Sequence, residues 1–286
     1  MRQATTTVKV AEQQATSTVM SQVISGSPPV GEIISSLQKT VSASRLNAFS
    51  HCRLKFYFRY VVKIPKAKTP ALHVGSTIHT ALKSWNKARW KDAPLTLKQL
   101  HDEFLKAWDE PEEPVEWRDD KEEDQKSIGW RLLETYIRES PIKADMKPEA
   151  VEVPVDADLS SMGLPRLVGI IDLVQGGRVV DYKTSSTTPN PVTVAHTNEI
   201  QTSIYAILYR EATGRTETGI ELHSLVKLKS PKIVITSLPP MSDQQQNRLY
   251  RVIESYQHGL EVRDFVPSPG MGCLSCQFFS ECRRWS

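Results

Sequence analysis

The chain has 286 residues, of which 39% are hydrophobic, and this is enough to bury the core of one large domain or two small ones. Its formal charge of +3 is mildly basic, which permits a nucleic-acid partner but does not argue for one. No apolar stretch approaches the roughly 18 to 20 residues that span a bilayer, and the N-terminus lacks the hydrophobic segment of a secretory signal. The composition therefore excludes a membrane-spanning protein and predicts a soluble, cytoplasmic one.

Residues 1–39 are predicted to be a flexible N-terminal tail. They are rich in Thr, Ser, Gln and Val, contain no aromatic residue and carry a break at Pro28 and Pro29. Such a composition cannot bury enough apolar surface to offset the entropy of ordering a core of its own. The folded domain is expected to span residues 40–286, beginning with a helix that Ser42 or Ser44 caps and that runs as far as Tyr60.

Helices come next in the chain, followed by strands and further helices. Apolar spacing predicts helices at residues 71–90, 97–108, 125–139, 199–210 and 242–260. Short alternating or β-branched runs predict strands at residues 150–158, 167–174, 178–182, 219–228 and 232–238. This order predicts an α/β fold with a central mixed sheet flanked by helices. A helical insertion is expected at about residues 84–147, and a cysteine-rich segment closes the chain at 266–286.

Two carboxylates and an ammonium group are predicted to meet at the end of one β-hairpin. The Gly-Gly pair at positions 176–177 is a strong signal for a tight turn between two strands. Residues two apart in a strand share a face, so Asp181 and Lys183 point the same way, and the hairpin brings Asp172 alongside them. Carboxylates bind Mg²⁺ or Mn²⁺, which activates water, and a lysine stabilises developing negative charge. The set is suited to phosphodiester hydrolysis, although a lone Asp-x-Lys is more often an exposed ion pair.

Several segments resemble successive motifs of the RecB-like branch of the PD-(D/E)XK nuclease superfamily. They are Ser42-Ala-Ser-Arg-Leu-Asn-Ala-Phe49 with Cys52, Gly75-Ser-Thr-Ile-His79, Gly169-Ile-Ile-Asp172, Val179-Val-Asp-Tyr-Lys-Thr-Ser185 and Gln201-Thr-Ser-Ile-Tyr205. The matches keep the order of the family across residues 42–282, nearly the whole of the expected domain. The resemblance implies the restriction-endonuclease-like core of that superfamily and a metal-dependent deoxyribonuclease.

The resemblance also implies which groups bind the metal. It makes His79, Asp172 and Asp181 ligands of Mg²⁺ or Mn²⁺, with the backbone carbonyl of Tyr182 as an additional ligand. Lys183 corresponds to the catalytic lysine. Judged alone, His79 is more simply interpreted as a packed helix histidine, because a neutral imidazole is common in protein cores.

Two further site residues are implied on the helix at 199–210. Gln201 and Tyr205 lie one turn apart and would border the site, positioning the substrate or the catalytic groups. Judged alone, a Gln-x-x-x-Tyr pair is easily met by chance. Glu152, on the preceding strand, occupies a position where relatives often carry an acidic residue.

The four cysteines form a second candidate site. Cys273, Cys276 and Cys282 are clustered, and Cys52 lies more than two hundred residues earlier. In reducing cytosol such thiols are more readily explained as metal ligands than as disulfides, and four of them can hold zinc or an iron–sulfur cluster. The one-plus-three layout resembles the AddB-type iron–sulfur nucleases and the CRISPR adaptation nucleases. It implies a 4Fe-4S cluster, with structural Zn²⁺ as the alternative.

The residues and the resemblance together predict a DNA nuclease, an exonuclease or an endonuclease, that acts on single strands or DNA ends. No helicase phosphate-binding loop is present, so unwinding would come from a partner helicase or another recombination protein. Recombination, repair, phage DNA processing and CRISPR adaptation are all compatible pathways. Two alternatives stay open: a catalytically silent DNA-binding or assembly subunit that keeps the fold, and a zinc-stabilised scaffold.

Overall fold

A computed structural model describes residues 29–285 of the chain. Its helices are α1 (Val30–Lys39), α2 (Ala43–His51), α3 (Arg53–Phe56), α4 (Pro70–Trp90), α5 (Leu97–Asp109), α6 (Glu122–Glu139), α7 (Pro191–Thr197), α8 (Glu199–Thr213), α9 (Asp243–Glu261) and α10 (Phe279–Cys282). Its strands are β1 (Thr40–Val41), β2 (Ala150–Ala157), β3 (Arg166–Gln175), β4 (Arg178–Ser185), β5 (Gly219–Val226) and β6 (Lys232–Leu238). In this part of the chain, no helix is both long and apolar enough to cross a bilayer.

The six strands form one mixed sheet. Strands β3 and β4 make an antiparallel hairpin, β4 runs parallel to β5, and β5 is antiparallel to β6. Strand β2 lies antiparallel along β3 and, within residues 29–285, pairs with no other strand. Helices α7 and α8 supply the crossover that a parallel β4–β5 pair requires. The predicted α/β architecture with a mixed sheet is therefore confirmed.

Two hydrophobic clusters pack on the two faces of this sheet. The first contains buried side chains of α1, α2, α8 and α9, and the second those of α4, α5 and α6. Neighbouring residues of β4 alternate between them, since Val179 joins the first cluster and Val180 the second. Helices α5 and α6 lie within the predicted insertion and pack directly in the second cluster, so they complete one layer of the domain.

The start of the folded region differs from the prediction. The prediction of a flexible tail up to residue 39 is wrong for α1, because Ile33 and Ile34 of this helix are buried in the first cluster. The remainder of the predicted tail lies outside the described residues. The single helix predicted through Tyr60 is also wrong, because Cys52 is extended at φ −163° and separates α2 from α3. A π-helical turn at Tyr57–Val61 then follows α3.

Candidate active site

The hairpin β3–β4 carries the predicted carboxylates. Gly176 and Gly177 have φ of 60° and 72°, the left-handed values that a tight two-residue hairpin turn needs. The paired residues end with Leu173 opposite Val180. Asp172 and Asp181 are the next residues in the same register, so they lie where the two strands begin to separate.

The backbone next to Asp172 is irregular on its other side as well. Val151 pairs with Leu173 and Val153 with Ile171, so Glu152 stands opposite Asp172. Glu152 has φ +51°, a left-handed conformation that is rare for any residue except glycine. The Nζ atom of Lys83 lies 3.4 Å from its Oε2 atom. A break in the β2–β3 pairing at Glu152 and Asp172 thus places both carboxylates beside the hairpin end.

Helix α4 brings His79 against this break. Its Nδ1 atom lies 3.4 Å from Oδ2 of Asp172, and its Nε2 atom lies 2.8 Å from the carbonyl oxygen of Tyr182. The N–H group of Tyr182 donates to the same Asp172 oxygen, at 3.2 Å. His79, Asp172 and the backbone of Tyr182 therefore form one connected group.

A second connected group surrounds Asp181. The Lys183 ammonium lies 2.8 Å from Oδ2 of Asp181 and donates to Oε1 of Gln201 at 2.7 Å. Gln201 Nε2 donates to Oδ1 of Asp181 at 3.0 Å and to the Tyr205 hydroxyl at 2.9 Å. The Tyr205 hydroxyl itself donates to Oδ1 of Asp181 over a longer 3.4 Å. Residues from β4 and α8 that are distant in sequence thus meet around one buried carboxylate.

Burial sets the electrostatics of the site. Loss of solvent raises the pKa of Asp172 to about 6, with His79 opposing the rise and Asp181 adding to it. Burial, followed by the neighbouring Asp181, raises the pKa of Tyr205, so this hydroxyl stays protonated and can donate. Oδ2 of Asp181 is buried and, among the described residues, finds no well-directed hydrogen bond, although Lys183 is close by.

These donors fit a divalent cation chemically. Carboxylate oxygens are hard ligands, and adjacent ligands of an octahedral Mg²⁺ ion lie about 3 Å apart, which resembles the 3.4 Å between His79 and Asp172. A cation would also offset the burial of two carboxylates. Within residues 29–285, however, no three His, Cys, Asp or Glu side chains stand together as a preformed metal site. The side chains are arranged around their own hydrogen bonds.

An open groove of about 930 Å³ leads to this site. His79, Asp172, Gln201 and Tyr205 line its inner end together with Glu152. Residues 42–45, at the N-terminus of α2, also line it, and the Ser42 hydroxyl there lies 3.1 Å from that of Ser44. Within the groove, the carboxylates of Asp172 and Glu152 are 12% and 16% exposed.

The four cysteines line a separate, apolar cavity. Cys52 meets Cys273, Cys276 and Cys282 there, beside Leu54, Phe58 and Phe278. All four are half-buried free thiols. Burial first, and then the three other cysteines, raise the pKa of the Cys282 thiol. The donor set fits a tetrathiolate centre, but its sulfur atoms are not held in a preformed ligating arrangement.

Comparison with known proteins identifies the family. A family model described as the PD-(D/E)XK nuclease superfamily matches residues 40–283. The chain belongs to this superfamily. Nucleases of the PD-(D/E)XK superfamily generally use Mg²⁺ or Mn²⁺, in keeping with the donors around Asp172 and Asp181. Membership supports nuclease activity, and with it an affinity for DNA.

A solved structure shares the fold of this chain. A "Putative exonuclease" from Eubacterium rectale is similar at 15% identity with a TM-score of 0.57, covering 88% of this chain and 90% of its own. The protein SSO0001 is 15% identical with a TM-score of 0.38, covering 80% of this chain and 94% of its own. No curated protein matches the chain significantly.

Proposed function

We propose that this member of the superfamily is a RecB-like DNA nuclease that hydrolyses phosphodiester bonds in single strands or at DNA ends. The observation that carries the proposal is the set of contacts joining Asp181, Lys183 and Gln201 directly beside the pair of His79 and Asp172. Ion pairs on a solvated strand are exposed, whereas Asp181 is 1% exposed, and the two side chains that donate to it, Gln201 and Tyr205, line the groove. A buried ion pair contributes little net stability, so we attribute the burial of this charge to a role in catalysis.

Each residue of the site has a proposed role. His79, Asp172, Asp181 and the carbonyl of Tyr182 would hold Mg²⁺ or Mn²⁺, which when bound would polarise the phosphate and lower the pKa of an attacking water. Lys183 stabilises the negative charge that develops on the phosphate oxygens. Its ammonium is kept beside Asp181 by the Gln201 carbonyl oxygen.

Tyr205 and Gln201 act on the carboxylate of Asp181. Both donate to Oδ1, whereas the ammonium of Lys183 lies 2.8 Å from Oδ2. Because the Tyr205 hydroxyl remains protonated, it contributes a constant donor and no charge. Both are therefore proposed to hold Asp181 in one orientation.

DNA is the proposed partner, and an extended strand is the form that the groove favours. The groove is open along its length rather than closed around a small molecule. A partner helicase or recombination protein would deliver single strands, in recombination, repair, phage DNA processing or CRISPR adaptation.

The four cysteines are proposed to hold a 4Fe-4S cluster, with structural Zn²⁺ as the alternative. The support is that thiols from both ends of the domain line one apolar cavity. The role is structural, since the cavity is lined by side chains other than those of the catalytic groove. Closing the thiols around a metal would fix α3 to the C-terminal segment.

The catalytic proposal is tested by Asp181→Ala and Lys183→Ala. Anaerobically purified variants are incubated with Mn²⁺ and end-labelled single-stranded or duplex DNA. We expect both substitutions to abolish cleavage, because the first removes a metal ligand and the second removes charge stabilisation, while DNA affinity is largely retained. Asp102→Ala and Lys98→Ala, which change exposed residues of α5, are the matched controls and should cleave normally.

The outcomes separate the candidate functions. Unchanged cleavage in either site variant removes the proposed mechanism. A wild-type protein that binds DNA but cleaves none with Mg²⁺ or Mn²⁺ is the silent binding subunit instead.

A further inference from the structure

The side chain of Tyr182 points away from the catalytic groove. Its neighbours in β4, Asp181 and Lys183, share the opposite face of the strand. The ring is 2% exposed and packs in the second cluster, and its hydroxyl accepts a hydrogen bond from Nδ2 of Asn86 at 2.9 Å. Tyr182 thus has one end at the site and the other in the core.

Helix α4 holds both ends of Tyr182. His79 contacts its carbonyl oxygen at 2.8 Å, and Asn86, two helical turns later, contacts its hydroxyl. The rings of His79 and Tyr182 also pack edge to face, with centroids 5.9 Å apart. These three contacts with Tyr182 therefore fix the position of α4 along β4.

Arg89 extends this arrangement to the other strand of the hairpin. Its NH1 group donates to Oδ1 of Asn86 at 2.6 Å, which leaves Nδ2 of that amide to face Tyr182. Its NH2 group donates to Oε1 of Gln175, the last residue of β3, at 2.8 Å. Asn86 is fully buried and Arg89 is 2% exposed. Arg89, Asn86 and the Tyr182 hydroxyl thus form a buried polar relay, which joins α4 to both strands of the hairpin.

The elements that the relay joins are those that carry the proposed metal ligands. His79 lies on α4, Asp172 on β3 and Asp181 on β4. Burying an amide and a guanidinium is unfavourable compared with apolar packing of the same volume, so stability alone does not account for the relay. What apolar packing lacks is directional contact that fixes one register of the helix on the hairpin.

We infer that Asn86 and Arg89 are positioning residues, which act through the Tyr182 hydroxyl to set the spacing between His79 and the two carboxylates for a divalent cation. The inference rests on the proposed nuclease function. Neither residue lines the groove: Asn86 contacts Tyr182 and Arg89, and Arg89 contacts Asn86, Gln175 and the carbonyl of Met146.

Binding of Mn²⁺ itself provides the test, and it does not depend on cleavage. Free Mn²⁺ is titrated by electron paramagnetic resonance in wild type, Tyr182→Phe and Asn86→Leu. Tyr182→Phe removes only the hydroxyl and keeps the carbonyl. We expect the Kd for Mn²⁺ to rise about 10- to 100-fold in both variants, the range seen when the partners of metal ligands are removed. Cleavage should recover largely at saturating Mn²⁺.

Tyr256→Phe is the matched control. Tyr256 is also fully buried, and its hydroxyl donates to the carbonyl of Leu37 at 3.3 Å in the first cluster, on the other face of the sheet. Thermal unfolding of both Tyr→Phe variants measures the general cost of losing a buried hydroxyl. We expect the control to lose stability with a Kd within twofold of wild type.

A Kd for Tyr182→Phe within twofold of wild type overturns the inference, even if Asn86→Leu fails to fold. An equal rise in Tyr256→Phe also overturns it, because the effect is then general. Wild type that binds Mn²⁺ without cleaving DNA contradicts the nuclease proposal and leaves the relay standing.

Discussion

The amide of Gln201 has one orientation that satisfies its three neighbours. Its oxygen accepts from Lys183, and its nitrogen donates to Asp181 and Tyr205. A flipped amide would place its NH₂ group against the ammonium and its oxygen against the carboxylate. Gln201 therefore couples the position of the lysine to that of the carboxylate.

The substitution Gln201→Ala should separate these two groups. We expect kcat for DNA cleavage to fall by roughly 10- to 100-fold, since partners that orient metal ligands have effects of this size. The KM for DNA should change little. Gln246→Ala is the matched control, because Gln246 on α9 donates to the Tyr250 hydroxyl at 2.8 Å in the same spacing. Equal losses in the two variants would contradict the assigned role.

Two Gln–Tyr pairs show what the sequence can and cannot predict about single residues. Gln201 with Tyr205 and Gln246 with Tyr250 have the same spacing and the same hydrogen bond. Only the fold brings the first pair to Asp181. The roles of Asn86 and Arg89 are similarly invisible in sequence, because a buried Asn and Arg within an otherwise ordinary helix have no motif.

At the scale of elements, the backbone of Glu152 departs from regular strand geometry. Its φ of +51° interrupts β2 opposite Asp172. A left-handed conformation costs an L-residue roughly 1–2 kcal/mol, which glycine avoids. The strand is thus strained where it meets the proposed site.

Glycine should therefore be preferred to alanine at this position. We expect the free energy of unfolding of Glu152→Gly to exceed that of Glu152→Ala by about 1 kcal/mol in urea denaturation. At the neighbouring Val151, where φ is negative, Val151→Ala should be the more stable variant. If alanine were the more stable replacement at both positions, Glu152 would carry no backbone strain.

The sequence predicted the boundaries of helices and strands correctly where a periodic pattern of apolar residues defined them. The prediction of β6 at residues 232–238 is confirmed, and the Gly-Gly pair gave the hairpin correctly. The helix predicted at residues 242–260 corresponds to α9, and Gly259 lies inside it, where Phe49 of α2 leaves no room for a Cβ atom. Tertiary contact, which a sequence does not display, also explains α1, whose two isoleucines bury in the first cluster.

At the scale of the whole molecule, the two ends of the domain are joined beside the cysteines. Lys66 pairs with Glu281 at 2.7 Å, and the side chain of Gln277 donates to the carbonyl of Ala67 at 3.1 Å. An ion pair between Arg53 and Asp264 adds to these contacts. Protein contacts alone therefore bring Cys52 to the C-terminal trio, so a bound metal would reinforce an existing closure.

Metal analysis of anaerobically purified protein should identify this centre. We expect about four iron and four sulfide ions per chain, as a tetrathiolate 4Fe-4S cluster requires. Cys276→Ser should lower the iron content and the melting temperature, because it removes a ligand from the closure. Ser275→Ala, at the adjacent position, is the control. Zinc without iron would establish the structural zinc alternative instead.

Strand β2 borders the groove beside Asp172 and forms an outer edge of the sheet. Pro154, opposite Ile170, lacks the N–H group that a further strand would need, and Asp156 adds a charge two residues later. A second chain that tried to extend the sheet here would meet an interrupted row of donors. The rim of the groove is thereby protected from edge-to-edge aggregation, although the exposed side chain of Ile170 lies beside it.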